Sequence, residues 1–192
     1  SVAFSAGLLP GTCRPWVTIE RRELSITPGR PYRYRFEVAP PADTPPMECR
    51  FAIMIEGKEQ TTSEQVPMNL AARIGVIVYV AVGNVAPQLE LAGAAVQIIN
   101  GRPTPVLRIR NSGTAHGRLA GFLNGTDGAG SAFEIQAANS PIMPGETRDI
   151  PLAATKPGNP DMTVAIKFPL QVRGKLEWGS SGSMPIDQRF SP

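Results

Sequence analysis

Residues 66–82, VPMNLAARIGVIVYVAV, constrain the fold more tightly than any other stretch. The even positions Val66, Met68, Leu70, Ala72, Ile74, Val76, Val78, Val80 and Val82 are all apolar. The odd positions include Pro67, Asn69, Arg73 and Gly75 before Ile77 and Tyr79. Strict alternation with period two is a strand signal, and Val, Ile and Tyr suit a pleated sheet. A single strand of this length would span on the order of 55 Å at roughly 3.3 Å per residue, whereas most strands hold about 3–10 residues. The run therefore either divides into two hairpin strands or overhangs its own sheet. From Arg73 to Ala81 both faces are apolar, which predicts burial. The preceding half is apolar on one face only and carries Pro67, which fits an edge strand or a loop. An alternating edge that overhangs a sheet is a template for pairing with another chain.

The rest of the chain reads as all-β. Its 192 residues hold one large or two small domains. The 19 Gly and 20 Pro are spread along the sequence, and punctuation every ten or so residues predicts many short strands. With 42% hydrophobic and 18% charged residues the chain is too apolar for disorder. No long stretch combines a 3.6-residue period with caps, so almost no helix is expected. In residues 31–38, Tyr32, Tyr34, Phe36 and Val38 share one face opposite Arg33, Arg35 and Glu37, the clearest half-buried strand pattern. Residues 48–56 follow as a strand with Cys49, Phe51, Ile53 and Ile55 on one face. A boundary falls at Gly83-Asn84. Beyond it, strand patterns near residues 85–91, 96–99, 106–110, 116–123, 132–135, 147–152, 162–168 and 172–178 have the spacing of an immunoglobulin-like sandwich. Residues 180–192, rich in Ser and Gly at their start, are expected to be a loose tail.

Several function classes find no support. The net charge is +3, and the paired arginines, Arg33/Arg35 and Arg108/Arg110, alternate with apolar residues on solvated strand faces. Without a basic stripe and interleaved aromatics, no nucleic-acid binding is expected. The single His116 cannot build a multi-histidine metal site, and no Cys/His ligand spacing exists. His116 reads as a turn or core hydrogen-bonding residue. No G-x-S-x-G elbow is present. Residues 125–130, GTDGAG, lack the lysine and strand–helix context of a phosphate loop and read as a hairpin. Asn124-Gly125-Thr126 fits a glycosylation sequon, relevant only in a eukaryotic secretory context. Glu20, Glu23, Asp127 and Asp149 show no pairing for acid–base work. The expectation is thus no enzyme, no cofactor, no metal and no small-molecule substrate. Cys13 and Cys49 fit either two buried thiols or a disulfide, and the disulfide is expected if the protein is exported. No apolar run reaches the roughly 18 residues of a membrane span and no signal peptide is seen. The sequence starts inside a strand-like VAFSA and reads as a mature or trimmed form. Membrane contact is expected only through a partner.

Some of these residues resemble a known family. Trp16 with the strand after it, then Ser25-Ile26-Thr27-Pro28-Gly29, a strand, a proline loop and the strand from Cys49 to Glu56 resemble the later part of the first domain of periplasmic pilus chaperones. Arg73-Ile74-Gly75-Val76-Ile77-Val78-Tyr79 is similar to that domain's last strand. Asn111-Ser112-Gly113-Thr114-Ala115-His116 and Pro144-Gly145-Glu146-Thr147-Arg148 look like its second-domain motifs. The resemblance implies two immunoglobulin-like β-sandwiches set in an L: residues 1–83 as the later part of the first, residues 84–179 as the second. The first is expected to be incomplete at its N-terminus, with the opening strands supplied by residues before Ser1 or by another chain. The family is not enzymatic. It lends alternating apolar residues of its first domain's last strand to an incomplete pilus subunit. Carried over, the partner-binding strand is Val66, Met68, Leu70 and Ala72, extending to Ile74. The family's carboxylate-anchoring lysine falls at Gly75, which leaves Arg73 as the candidate anchor. The expected partner is a fibre subunit or another envelope protein that docks through a β-edge, in the periplasm or at the surface of a Gram-negative bacterium. A permanent structural component of an envelope assembly is the alternative reading. A carbohydrate-binding module is a weaker one, because Trp16 and Trp178 lie in different halves.

Overall fold

Fifteen strands and one short 3-10 turn make up the computed structural model, which describes residues 2–3, 12–27, 29–57, 60–61, 69–70, 72–180 and 182–192. The protein is all-β, with no α-helix among the described residues. Contacts divide it into two compact units, Ser1–Asn84 and Val85–Pro192.

Unit 1 contains β1 (Val2–Ala3), a 3-10 turn (Arg14–Trp16), β2 (Val17–Ile19), β3 (Phe36–Val38), β4 (Met47–Glu56), β5 (Gln60–Thr61), β6 (Asn69–Leu70) and β7 (Arg73–Val82). The alternation of apolar residues along β4 makes it the centre of an antiparallel sheet in the order β1-β4-β7. Its inward residues Cys49, Phe51 and Ile53 are buried and stand opposite Val80, Val78 and Val76 of β7. Trp16, Val17, Ile19, Tyr34 and Val38 cover them, and the Phe36 ring meets Phe51 edge-on at 5.8 Å. A disulfide joins Cys13 to Cys49, with Cα atoms 5.5 Å apart and both side chains buried. Residues 31–38 are less strand-like than their alternation predicts. Only Phe36–Val38 forms a ladder, with the three-residue β2. So short a neighbour covers half of the apolar face, leaving Tyr32 and Phe36 exposed.

Unit 2 contains β8 (Leu89–Ile99), β9 (Arg102–Asn111), β10 (Ala120–Thr126), β11 (Ala132–Ala137), β12 (Thr147–Lys156), β13 (Asn159–Thr163), β14 (Leu170–Trp178) and β15 (Gly182–Phe190). They run in the order β15-β14-β10-β11-β12-β9-β8, with β13 on β12. Strand β12 turns the sheet: Thr147–Pro151 pair with β9, and Leu152–Thr155 pair with β11. The sheet bends round on itself, brings β15 beside β8 and encloses Leu107, Ile109, Leu123, Ile135, Ile150, Leu170, Leu176 and Phe190. The β8–β9 connection is Asn100-Gly101, both at positive φ (49° and 75°). That is the two-residue turn whose twist matches the flanking strands.

The expectation of a loose tail at residues 180–192 is corrected here. Strand β15 pairs with β14 along its whole length, and Met184, Ile186 and Phe190 enter the core. The alternation is there in the sequence, but Gln188 and the outward Pro185 mask it.

Residues 125–130 do form a hairpin turn, between β10 and β11. The Asp127 carboxylate accepts the Ala129 and Ser131 N–H groups, each at 2.9 Å, and the Lys167 N–H at 3.1 Å. These bonds, the one from Ser131 first, hold its pKa below the ordinary aspartate value although burial opposes them. A depressed carboxylate stabilises fully above the unfolded value near pH 4, and that contribution is lost as pH falls through the lower folded value. Asp127→Asn keeps an acceptor but cannot titrate. Acid unfolding followed from about pH 5 downward should therefore be shallower for this variant than for the parent. Superimposable acid limbs would show that Asp127 carries none of the pH dependence.

Candidate functional site

The long apolar run resolves into two strands of one hairpin arm. Strands β4 and β7 pair from Met47↔Val82 to Glu56↔Arg73. Beyond them the Gly57 N–H donates to the Ala72 carbonyl at 2.8 Å, and Gln60 and Thr61 pair with Leu70 and Asn69. Arg73 faces Glu56 whereas Leu70 faces Gln60, so the first side of the arm carries one extra residue. An offset of this kind re-aims a strand end.

Among the described residues strand β7 pairs with β4 alone, and its other edge is unpaired. The burial expected from Arg73 to Ala81 is not found, for no residue of β7 is buried. Ile74, Val76 and Ile77 are 61%, 46% and 59% exposed. The physical reason is the edge position. Inner-face cover reaches Cys49, Phe51 and Ile53 but stops before Ile55, which is 40% exposed opposite Ile74. An apolar strip thus runs from the core of unit 1 out to the open end of β7.

The sequence-derived binding residues fall as follows. Val66 and Met68 lie outside the described residues. Leu70 is paired through its backbone with Gln60. Ala72 is exposed and its carbonyl is engaged by Gly57. Ile74 stands in the open strip. Arg73, the candidate carboxylate anchor, ion-pairs with Glu56 at 2.7 Å, with 67% and 30% of the two side chains exposed. Exposed pairs of this kind contribute little, at most about 1 kcal/mol, so an incoming carboxylate can compete with Glu56. Sequence reasoning missed Val76 and Ile77 because it assigned them to the core. No local signal marks them, because a strand without charge beyond Arg73 reads equally as core.

Every buried side-chain nitrogen or oxygen among the described residues has a hydrogen-bond partner. Asp149 receives Arg108 Nε at 2.8 Å and Gln97 Nε2 at 2.6 Å, which hold its pKa below the ordinary value and tie β8, β9 and β12 together. No three acidic, Cys or His side chains converge into a metal site among the described residues. No helix there is long and apolar enough to cross a membrane. No family model, no curated protein and no solved structure matches the chain.

Proposed function

We propose that this chain is a pilus-chaperone-like protein of the bacterial periplasm, built from two immunoglobulin-like domains, that binds a partner protein by β-strand addition and assists assembly of a surface fibre. One observation carries the reading: β7 is a ten-residue strand with a single neighbour among the described residues and exposed Ile74, Val76 and Ile77. An added strand would satisfy the free backbone edge, and its alternate side chains would extend the strip formed by Ile55, Ile74 and Val76. The motif resemblance of residues 111–116 and 144–148 supports the same assignment.

The test uses labelled, strand-length peptides of alternating apolar sequence. Each apolar side chain buried against a partner contributes about 1.5–3 kcal/mol before ordering costs. Ile74→Asp combined with Val76→Asp should therefore weaken binding by about a hundredfold or more while the melting profile stays near that of the parent. Val78→Asp should instead unfold unit 1, because Val78 is partly buried against the core and an unpaired charge set into that apolar contact is costly. If the Ile74/Val76 variant unfolds as Val78→Asp does, or binds peptides like the parent, strand addition at β7 fails.

A further inference from the structure

We propose that unit 2 binds a neutral saccharide in a cleft between β10 and β11, with a sugar ring stacked on Phe122. The cleft exists because two strands part. Their ladder runs from Thr126↔Ala132 to Leu123↔Ile135 and stops there, although β10 begins at Ala120 and β11 ends at Ala137. Gly121 lies in the stretch that β11 leaves unpaired, at φ 117°. A Cβ there would meet the Lys175 carbonyl at 2.5 Å, so this course of the chain requires glycine. The opening holds about 380 Å³, with the buried Leu123, Ile135 and Leu176 among its walls. That is within the roughly 300–1,000 Å³ of ligand sites.

Leu123 and Ile135 face the core, so Phe122, Asn124, Glu134 and Gln136 share the outer face of the cleft. Phe122 is the most exposed large apolar side chain among the described residues, at 90%. Its cross-strand neighbour Lys175 is drawn along β14 to Glu177 at 2.7 Å and leaves the ring bare. The tryptophans offer no such platform: Trp178 is buried, and Trp16 packs on the core of unit 1.

The surroundings select the ligand class. Asn124 and Gln136 are exposed, and their carboxamides have no side-chain partner among the described residues. Each offers N–H donors and an acceptor oxygen. The nearby charges are engaged: Arg173 with Asp187 at 3.2 Å, Lys175 with Glu177, and Glu134 with the Gly158 N–H at 3.1 Å. An ionic ligand would find its counter-charges taken. A wholly apolar one would cover the carboxamides without bonding them, which is costly. A sugar ring meets both demands. Its C–H face packs on the aromatic ring, and its hydroxyls, donors and acceptors at once, bond the amides. The inference stands apart from the function proposed above, which rests on β7 in unit 1.

Titration of the full chain with cellohexaose, maltohexaose and chitohexaose tests it, followed by calorimetry and by the NMR signals of the Asn124 and Gln136 side-chain amides. At least one should bind with a Kd on the order of 1 mM and move both amide signals. Phe122→Ala should weaken that binding about tenfold or more, with an unchanged melting profile because the ring is exposed. Phe122→Tyr, which keeps the aromatic face, should bind like the parent. Gln136→Ala should weaken binding about fivefold. The proposal is overturned if none of the three binds at about ten times that concentration, or if Phe122→Ala binds like the parent. It is also overturned if Phe122→Tyr is as weak as Phe122→Ala, or if a sulfated heparin hexasaccharide binds more tightly than the neutral sugars. Peptide binding at β7 is read separately, so failure of one inference leaves the other standing.

Discussion

Asn111→Ala is expected to unfold unit 2 under conditions where the parent is intact. Asn111 is fully buried at the end of β9. Its Nδ2 donates to the carbonyls of Ala115 and Ile142, both at 2.8 Å. Its Oδ1 accepts the N–H groups of Gln88 at 3.1 Å and Gly113 at 2.9 Å. One carboxamide therefore satisfies backbone from the lead into β8, the turn after β9 and the loop before β12. Alanine leaves those groups without that partner, and the Ala115 and Ile142 carbonyls lose theirs in a buried place, at about 1–3 kcal/mol for each one left unsatisfied. After relaxation the loss should be on the order of 3–5 kcal/mol, a large share of the 5–15 kcal/mol that keeps a typical domain folded. Trp178 is the tryptophan of unit 2 and Trp16 that of unit 1, so urea unfolding in a Trp16→Phe background reports on unit 2. Ser112→Ala, at an exposed neighbouring hydroxyl, should change little. A loss below about 1 kcal/mol for Asn111→Ala would mean that the carboxamide network is dispensable.

Reduction of the disulfide should act on the other unit. Cys13 and Cys49 are 36 residues apart, and closing a loop of that size stabilises by roughly 3–4 kcal/mol. The share of the core matters more. Among the described residues, the fully buried cluster of unit 1 is Cys13, Cys49, Phe51 and Ile53, so the bridge supplies half of its members. It also fastens the turn carrying Trp16 to the centre of the sheet. A reductant, or a double Cys13→Ser and Cys49→Ser change, should remove the transition of unit 1. The transition of unit 2, which has no cysteine, should stay in place. Scanning calorimetry with and without reductant separates the two. Thiol labelling of denatured, unreduced protein should find no free cysteine; two labelled thiols would rule the bridge out.

What the sequence showed and what it hid follow from the range of the forces involved. Turn chemistry is local, so the Asp127 hairpin and the succession of strands were legible. Cys49, Phe51 and Ile53 were correctly placed on one face because alternation fixes which residues face together. Alternation does not say what lies against that face. Residues 73–81 are as apolar as a core strand, yet among the described residues β7 has no second neighbour, and no local pattern records a missing one. The reverse error occurred at residues 182–190, where Gly, Ser and Pro suggested a tail while Met184, Ile186 and Phe190 kept the two-residue beat. That strand is held by β14, and a strand nine residues long that pairs from end to end tolerates one outward proline. Of the candidate edge, Ile74 and Arg73 were legible from the motif resemblance. Val76 and Ile77 needed the sheet order.

The bend at β12 has a kinetic consequence. It sets the first strand of unit 2, β8, beside the last, β15, so the sheet closes only when segments some ninety residues apart in the chain meet. The hairpins β8–β9 and β14–β15 are local and can form early, within about 1–10 μs. Closure has to wait for the slow search that long-range strand pairings impose, and domains dominated by such pairings fold in milliseconds to seconds. Throughout that interval the Ile186 and Phe190 face of the last hairpin and the Leu107 and Ile109 face of the first are open to water. Refolding yield should then fall as protein concentration rises, with bimolecular capture of half-closed sheets as the competing reaction.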